Sequence, residues 1–394
     1  MTRKTKILFC IDFFNLTGAT ASLAALLRAL DYSKYDVSLF RFDTGDSYLD
    51  QIPREVRQLP LVKDYVMYAK ELREAVRHGL RRGWWGLVLK RLALSLGSKL
   101  SPRFDKLALA RRGPRLAGDY DVAIAFCSSY MWEFICTKVD AKRRVAWLDT
   151  NHNWIPGLWN AFRQLDAWDR VVCVCRGEAQ SLEAEYPQLV GKTSVVHDVI
   201  SKDALLARAA EGGVPADAAR APGDLSLLTV GRVTDQKAQD LVIRIALELR
   251  RRGVRFVWRL VGPGEACWRK YLAAAGNPDL GGSVVYLGAR KNPAPYMKAC
   301  DLYVQPSRFE GWGMTVTEAV ACGAPVLVSD IPAFREQIAD GENGWIAPLD
   351  VAAFADRIAA FAQGRCGLTR RGVWLDDYGS ARDFDEMIEG LNMI

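Results

Sequence analysis

The chain has 394 residues and a formal net charge of +7, with 50% hydrophobic and 25% charged residues. This is an ordinary globular composition with apolar residues enough for two or three domain cores, and it excludes a disordered or fibrous chain. Nine cysteines without a CxxC pair and only three histidines offer neither a disulfide framework nor a metal-ligand spacing.

The cysteines read as small buried hydrophobes in a reducing compartment. The N-terminus MTRKTKILFCIDFF fits a first buried strand better than a signal peptide. No apolar run reaches the ~18 residues of a membrane-spanning helix. A cytoplasmic location is expected.

Lys6 to Ile11 is a run of strand formers that ends in the polar loop Asp12 to Thr17. Gly18 opens a helix with apolar spacing through Leu23, Leu26, Leu27 and Leu30. Tyr35 to Phe42 is a second strand, so the chain starts as a βαβ unit and implies a parallel sheet. Residues 70–115 then change in composition. Thirteen cations stand against three acids, a surplus of ten that leaves −3 for the rest of the chain. Trp84, Trp85 and the run Leu87 to Leu89 lie inside this stretch. Cations beside interfacial aromatics suit an anionic membrane surface, touched without being spanned. A solvated face over core tryptophans accounts for the same residues. A basic nucleic-acid-binding protein is a third reading, but no aromatic-basic RNA module is visible and no nucleic-acid partner is expected.

Asp121 to Phe126 and Arg144 to Leu148 are buried strands, and Asp149, Asn151 and His152 follow the second at its carboxyl end. Arg170 to Cys175 is a strand, Arg176 to Tyr186 a helix, and Lys192 to His197 a last strand. Ala209 to Asp224 is rich in Ala, Gly and Pro without apolar period. This places a linker at 198–224, between a domain of residues 1–197 and another of residues 225–375. The second half repeats the alternation. Strands are expected at Leu225 to Val230, Phe256 to Val261, Val284 to Leu287 and Pro325 to Ser329. Helices are expected at Ala238 to Arg252, Pro293 to Cys300, Phe334 to Ala339 and Val351 to Ala362. A final helix, about Ser380 to Asn392, lies in the tail 376–394. The fold class is therefore α/β, with two doubly wound, Rossmann-like domains whose ligands bind beyond the carboxyl ends of the strands.

Two loops carry chemistry. Gly231 and Arg232 follow a strand directly, and Lys237 stands at the next helix start. Backbone N–H groups, helix dipole and two cations together suit a diphosphate, although solvated loop charges are the plain alternative. The second loop lies in VQPSRFEGWGMTVTEAVACGAP, Val304 to Pro325. Gly311 and Gly313 permit close backbone approach, and the N–H groups of Gly313, Met314 and Thr315 open a helix. Glu310 and Glu318 bracket the loop as acceptors for sugar hydroxyls. Glu318 borders the apolar face of its helix, which suits a ligand-facing role better than simple solvation. Trp312 reads as packing.

The segment EGWGMTVTEA, with Glu310 and Glu318 eight positions apart, resembles the retaining GT-B glycosyltransferases of family 4. NPAPYMKACDLYVQPS before it and TVGRVTDQK further upstream resemble the same family. The resemblance implies two domains facing each other across a cleft, the first holding the acceptor and the second a nucleotide sugar, with the last helix crossing back. It implies that Arg232 and Lys237 neutralise the leaving diphosphate, that Glu310 contacts the donor sugar and that Glu318 holds the ribose. It also implies front-face attack with no metal and no cofactor, the departing phosphate taking the acceptor proton. Uridine is the commonest base in such relatives. The opening segment and NPAPY are most similar to transferases of capsular or cell-wall polysaccharide assembly, which implies a glycan or lipid-linked acceptor and a peripheral place on the membrane.

The chain departs from the family at three places. Gly18 matches the second of two glycines at the first helix, while Thr17 replaces the first and Thr20 replaces a Glu. Ala238 stands where relatives often have Gly, a small matter if its φ is negative. His152 falls three positions after the family's usual histidine, whose place Asp149 takes, and Asn151 takes the place of an Asp. His152 and Asp149 both stay open as acceptor-side residues, as does a structural histidine. His197, followed by Asp198 and Val199, reads as a hinge or cleft residue with no catalytic role. A nucleotide-sugar epimerase on the same fold is the alternative activity, and the histidine-poor site argues against it.

Overall fold

The computed structural model describes all residues except 1–2, 12–13, 15–16, 43–47, 101–113, 127–128, 153–164, 366, 369–380 and 393–394. Most of the loop Asp12 to Thr17, and Arg103, Asp105, Lys106, Arg111 and Arg112 of the basic stretch, lie outside the described residues. The chain divides into two compact units. Unit 1 is Met1–Val174, Glu178–Asp198 and Ala381–Ile394, and unit 2 is Cys175–Gly177 and Val199–Ser380.

Unit 1 is built on seven parallel strands: β1 Thr5–Ile11, β2 Tyr35–Arg41, β3 Arg57–Gln58, β4 Leu116–Phe126, β5 Val139–Leu148, β6 Arg170–Cys173 and β7 Thr193–Val195. Their order is β3-β2-β1-β4-β5-β6-β7, and every pairing is parallel. The helices are α1 Gly18–Ala29, α2 Lys63–Ala69, α3 Leu72–Arg81, α4 Trp85–Leu100, α5 Ser129–Lys138 and α6 Arg176–Glu185. Alternate strand residues point to opposite faces. Leu8, Cys10, Ala123, Ala125, Ala146 and Leu148 therefore share one core with Phe40, Tyr65 and Phe134. Phe9 and Trp147, at the intervening positions, meet Phe384 of the final helix. That helix runs Arg382–Asn392 and also receives the Tyr35 hydroxyl on Asp385 at 2.8 Å.

Unit 2 repeats the plan with six parallel strands: β8 Leu225–Val230, β9 Phe256–Val261, β10 Val284–Gly288, β11 Leu302–Gln305, β12 Val326–Ser329 and β13 Trp345–Ala347. Their order is β10-β9-β8-β11-β12-β13. Its helices are α7 Lys202–Ala210, α8 Gln239–Arg251, α9 Glu265–Ala274, α10 Ala294–Ala299, α11 Met314–Ala321, α12 Pro332–Gln337 and α13 Val351–Ala362; the final helix of unit 1 is α14. Leu227, Leu260, Val304 and Leu327 pack under α8 and α13, while Leu228, Val261, Tyr303, Val326 and Val328 pack under α11 and α12. Both faces of the sheet are thus buried, as the continuous apolar strands require.

Four stretches differ from the reading of the sequence. The segment 198–224, read as a linker, contains α7, whose Leu205 and Ala209 are buried with Ala294 of α10. Alanines at helical spacing close that contact, although the composition around them is loop-like. β13 and α5 had no counterpart in the sequence reading. In the basic stretch, Trp84, Leu87 and Val88 turn inward to pack with Met67 and Ala75, Arg91 is buried, and Lys90 pairs with Asp64 at 2.9 Å. Part of the apparent cationic surface is therefore internal. The seven cysteines among the described residues are free thiols. Among the described residues, no helix is long and apolar enough to cross a membrane.

Candidate functional site

The order of unit 2's strands reverses between β8 and β11, which are neighbours in register Leu302↔Leu227 and Tyr303↔Leu228. At such a switch point the two following loops part and leave a crevice beyond the strand ends. The loop after β8 carries Gly231, Arg232 and Lys237. The loop after β11 carries Glu310, Gly311 and Gly313. Parallel pairing alone brings these two sequence motifs to one place.

The first loop is held from within. Gln239 is buried, donates to the Arg232 carbonyl at 2.9 Å and accepts from the Thr234 N–H at 3.1 Å. The Arg308 N–H donates to the Gln236 carbonyl at 2.8 Å, and the Arg308 guanidinium grips both Asp240 oxygens at 2.9 and 2.7 Å. The neighbouring loop after β9 presses close. A Cβ on Gly262 would stand 1.9 Å from the Gly231 carbonyl oxygen, so only glycine fits there.

Lys237 and Glu310 meet at the centre. Lys237 Nζ donates to Glu310 Oε1 at 2.6 Å, and the lysine stem passes over Gly231. The same oxygen accepts from Ser307 Oγ at 2.6 Å, and Glu310 Oε2 accepts from Gln236 Nε2 at 3.2 Å. Behind Ser307 the relay continues, since Gln305 Nε2 donates to Ser307 Oγ and Tyr303 OH to Gln305 Oε1, both at 2.9 Å. Glu310 is buried, and these contacts fix its carboxylate while holding one lysine against it. Arg232, by contrast, is exposed, and its guanidinium has no carboxylate partner among the described residues.

The loop after β11 ends on Gly313, the N-cap of α11, at φ 91° with no side-chain cap. Phe334 lies so close that a Cβ on Gly313 would stand 2.6 Å from its ring. The Val316 N–H donates to the Gly313 carbonyl at 2.8 Å, while the N–H groups of Met314 and Thr315 have no acceptor among the described residues. Glu318 sits one turn on. Burial pushes its carboxyl up, and Arg208 of α7, with Nη2 at 3.8 Å, offsets this only in part. The Glu318 carboxylate accepts no hydrogen bond among the described residues, so its acceptor capacity is unspent. Trp312 is buried, and its carbonyl accepts from Gln337.

Ala238 corrects one expectation. Its φ is 55°, in the left-handed region, and its methyl is wholly buried. The replacement of glycine here thus carries backbone strain of about 1–2 kcal/mol.

The residues read as acceptor-side lie in unit 1. Gly18 opens α1, but Thr17 and Thr20 form a reciprocal capping box: Thr20 N–H donates to Thr17 Oγ1 at 3.3 Å and Thr17 N–H to Thr20 Oγ1 at 3.2 Å. The two threonines that replace family residues thus satisfy the helix start internally. Asn151 and His152 turn to α6. Asn151 Nδ2 donates to Glu178 Oε2 at 2.9 Å, His152 Nδ1 lies 2.6 Å from Glu178 Oε1, and His152 Nε2 lies 2.7 Å from Glu185 Oε2. Glu178 first, then Glu185, raise the His152 pKa against the opposing effect of burial. Both ring nitrogens are occupied. Asp149 lies near Asp198, whose buried carboxyl burial pushes up to about 7. Ser22 Oγ donates to that carboxyl at 2.7 Å. His197 Nδ1 is 2.7 Å from Asp383 Oδ2.

Sequence reasoning missed Gln236, Gln239, Ser307 and Asp198. A buried polar residue beside a motif is their only signature, and burial is not visible in one sequence.

Residues 224–363 match the family model described as glycosyl transferases group 1. The matched segment makes up about a third of the chain. It holds both loops of the site. The chain is 36% identical over 142 residues to the lipopolysaccharide core biosynthesis mannosyltransferase LpsB of Rhizobium meliloti, covering 34% of this chain and 40% of that protein. It is 30% identical over 189 residues to the D-inositol 3-phosphate glycosyltransferase of Rhodococcus erythropolis, covering 45% of this chain and 41% of that protein. The chain thus spans about two-fifths of the length of these curated relatives. Over 99% of its length the chain is similar to Anabaena HepE, solved with UDP and glucose, at TM-score 0.64 and 16% identity, covering 100% of that chain. It is likewise similar over 99% of its length to the sucrose-phosphate synthase of Thermosynechococcus elongatus, at TM-score 0.67 and 16% identity, covering 98% of that chain. The chain therefore shares its α/β fold with these solved structures.

Proposed function

We propose that the protein is a retaining glycosyltransferase that moves a sugar from a nucleotide-sugar donor, a UDP-sugar first among candidates, to a hydroxyl of a glycan or lipid-linked glycan in surface polysaccharide assembly. The observation that carries this reading is the Lys237–Glu310 pair at the switch point of unit 2. It sets a cation and a carboxylate side by side where a diphosphate and its sugar have to be recognised together. HepE, solved with UDP-glucose, supports the choice of donor, and the lipopolysaccharide mannosyltransferase supports the choice of pathway.

In this reading the diphosphate lies across the loop after β8, and Lys237 turns one of its three N–H donors to it while Arg232 closes from the exposed side. Glu310 accepts from sugar hydroxyls. The N–H groups of Gly313, Met314 and Thr315 take phosphate or sugar oxygens, and Glu318 takes the ribose hydroxyls on its unspent carboxylate. Transfer breaks the bond between the anomeric carbon and the diphosphate oxygen and forms one to the acceptor oxygen on the same face. The acceptor proton passes to the departing phosphate. Positive charge fixed before the reaction stabilises that oxygen as the bond breaks. No cofactor or metal ion is assigned a step. Unit 1 supplies the acceptor side, with Gly18 and Asp149 the remaining candidates and Asn151 and His152 supporting from behind. Cytoplasmic residence beside a membrane completes the reading.

A screen of UDP-, GDP- and ADP-sugars for nucleotide release, with and without a lipid-linked acceptor, tests it. One nucleotide sugar should turn over, the product should keep the donor's anomeric configuration by NMR, and Glu318→Ala should weaken donor binding about tenfold or more. Absence of turnover with every donor, joined to absence of nucleotide binding by calorimetry, overturns the assignment.

A further inference from the structure

Helix α4 presents one face that no described residue of unit 1 covers. Trp85, Leu89, Leu92 and Leu96 are 64%, 68%, 37% and 65% exposed. Their spacing of four, three and four residues puts them within about 60° of one another around an α-helix. The inner side of the same helix is ordinary core, with Leu94 in the main cluster of unit 1 and Val88 against Met67 and Ala75. Single exposed leucines are commonplace, but four large apolar side chains in one line form a patch that calls for an occupant.

Charge chooses the occupant. Residues 75–100 contain six cations and no acid. Arg77, Arg81 and Arg82 are exposed, and the last two fill the turn directly before Trp85. Arg82 also lies over the Trp84 ring, 5.5 Å from its centroid. The spacing of the stripe matches a coiled-coil seam too, which makes a second copy of the chain the rival. A two-fold contact sets a patch against itself, so in either helix orientation the copy's residues 75–100 offer these arginines further cations and no acid. The stripe also ends after two heptads, short for a stable coil. An anionic bilayer supplies the missing counter-charge and accepts the apolar side chains at the boundary of its acyl region.

We propose that α4 is an in-plane membrane-insertion element. Trp85, Leu89, Leu92 and Leu96 enter the acyl boundary of an anionic bilayer, and Arg77, Arg81 and Arg82 meet its phosphate groups. The proposal rests on the reading of unit 1 as the acceptor side only for its purpose, which is to bring a lipid-linked acceptor to the enzyme. The chemistry of the stripe does not depend on the donor site.

The test is sedimentation of the full chain with sucrose-loaded vesicles, either phosphatidylcholine alone or phosphatidylcholine and phosphatidylglycerol in equal parts. The wild type should pellet with the anionic vesicles at low salt and not with the neutral ones. Leu89→Ser together with Leu96→Ser, both at exposed positions, should weaken binding about tenfold or more at every salt concentration. Arg81→Gln with Arg82→Gln should weaken it at low salt and flatten the salt dependence. Calorimetry with the nucleotide diphosphate should give the same affinity in all of these proteins. A failure of donor binding is thereby read separately from a failure of membrane binding. A wild type that stays in the supernatant with anionic vesicles overturns the proposal. So does binding that the serine pair leaves unchanged, which makes the contact electrostatic only. A concentration-dependent dimer in sedimentation velocity that the serine pair dissociates overturns it as well, and assigns the stripe to a second copy.

Discussion

Lys237 and Glu310 lie 73 positions apart in the chain and share a 2.6 Å ion pair between β8 and β11. Removing one partner of such a pair leaves the other buried and uncompensated, at a cost of about 3–5 kcal/mol. Lys237→Ala should therefore lower the unfolding midpoint as well as reduce kcat/KM by about tenfold to a hundredfold. Glu310→Gln loses the charge and keeps one oxygen, which still accepts from Ser307, while its amide NH2 faces Gln236 Nε2 and gives up that hydrogen bond. The double variant should then be less destabilised than the two single effects added together, with a coupling of about 1 kcal/mol or more. Urea unfolding of all four proteins measures the cycle. Additive stabilities together with unchanged kcat/KM would show that the pair is neither coupled nor part of the site.

Ala238 offers a test of strain beside this pair. At an ordinary buried alanine, mutation to glycine loses a methyl from the core and frees the unfolded chain, about 1.5 kcal/mol together. At φ 55° the substitution also relieves roughly 1–2 kcal/mol of left-handed strain. Ala238→Gly should accordingly be within about 0.5 kcal/mol of neutral, whereas Ala238→Val adds a β-branched side chain at the same φ and should cost more than about 2 kcal/mol. A full loss in Ala238→Gly, measured by denaturant titration, would refute the strain.

Much of this architecture was legible because the chain punctuates it. β8 and β9 are apolar runs bounded by Asp224, Gly231, Arg255 and Gly262, and α13 begins where Asp350 accepts from the Ala352 and Ala353 N–H groups. β13 has three residues and no room to show a period. α7 hides in an alanine-, glycine- and proline-rich stretch because its burial is decided by α10 and α11, which come more than eighty residues later. The motif residues of the site could be picked out one by one. That Lys237 rests on Glu310, and that Gln239 and Ser307 hold the two loops, follows from parallel pairing of β8 with β11, which no local pattern encodes. On the first unit, the tertiary partners Glu178 and Glu185 decide what His152 does, and nothing near His152 in sequence announces them.

His152 should act on stability more than on turnover. Both ring nitrogens face carboxylates, at 2.6 and 2.7 Å, and its pKa is raised by Glu178 first and Glu185 next. A histidine whose folded pKa lies above its unfolded value of about 6.5 contributes stability fully below that pH and loses it as pH rises through the folded pKa. The difference in melting temperature between wild type and His152→Gln should therefore be largest in mild acid and shrink in alkali. His152→Ala, which leaves buried Glu178 without its cation, should cost about 3–5 kcal/mol while the folded fraction keeps most of its kcat. A large fall in kcat at unchanged stability would instead make His152 an acceptor-side catalytic residue.

Asp198 gives the opposite pH dependence. It is the last residue of unit 1 before the chain enters unit 2, its carboxyl is buried, and Ser22 Oγ donates to it at 2.7 Å. Burial pushes its pKa to about 7, Asp149 adds to the rise, and the Ser22 hydrogen bond and His197 oppose it. An acid whose folded pKa exceeds its unfolded value of about 3.9 is favoured in its protonated form by folding. Between the two values the native state holds the extra proton, so stability falls as pH rises, and above about 7 the full penalty is present. Its upper bound is on the order of 4 kcal/mol, since each pKa unit is worth about 1.4 kcal/mol. Asn in its place stays neutral and still accepts from Ser22. Asp198→Asn should therefore raise the melting temperature at pH 8, change it little at pH 4 and flatten the slope between them. Nothing in that substitution touches Glu310 or Lys237, so nucleotide affinity should be unaltered. If Asp198→Asn instead destabilises the protein at pH 8, the carboxylate has a cationic partner in its ionised form, and burial does not set its pKa.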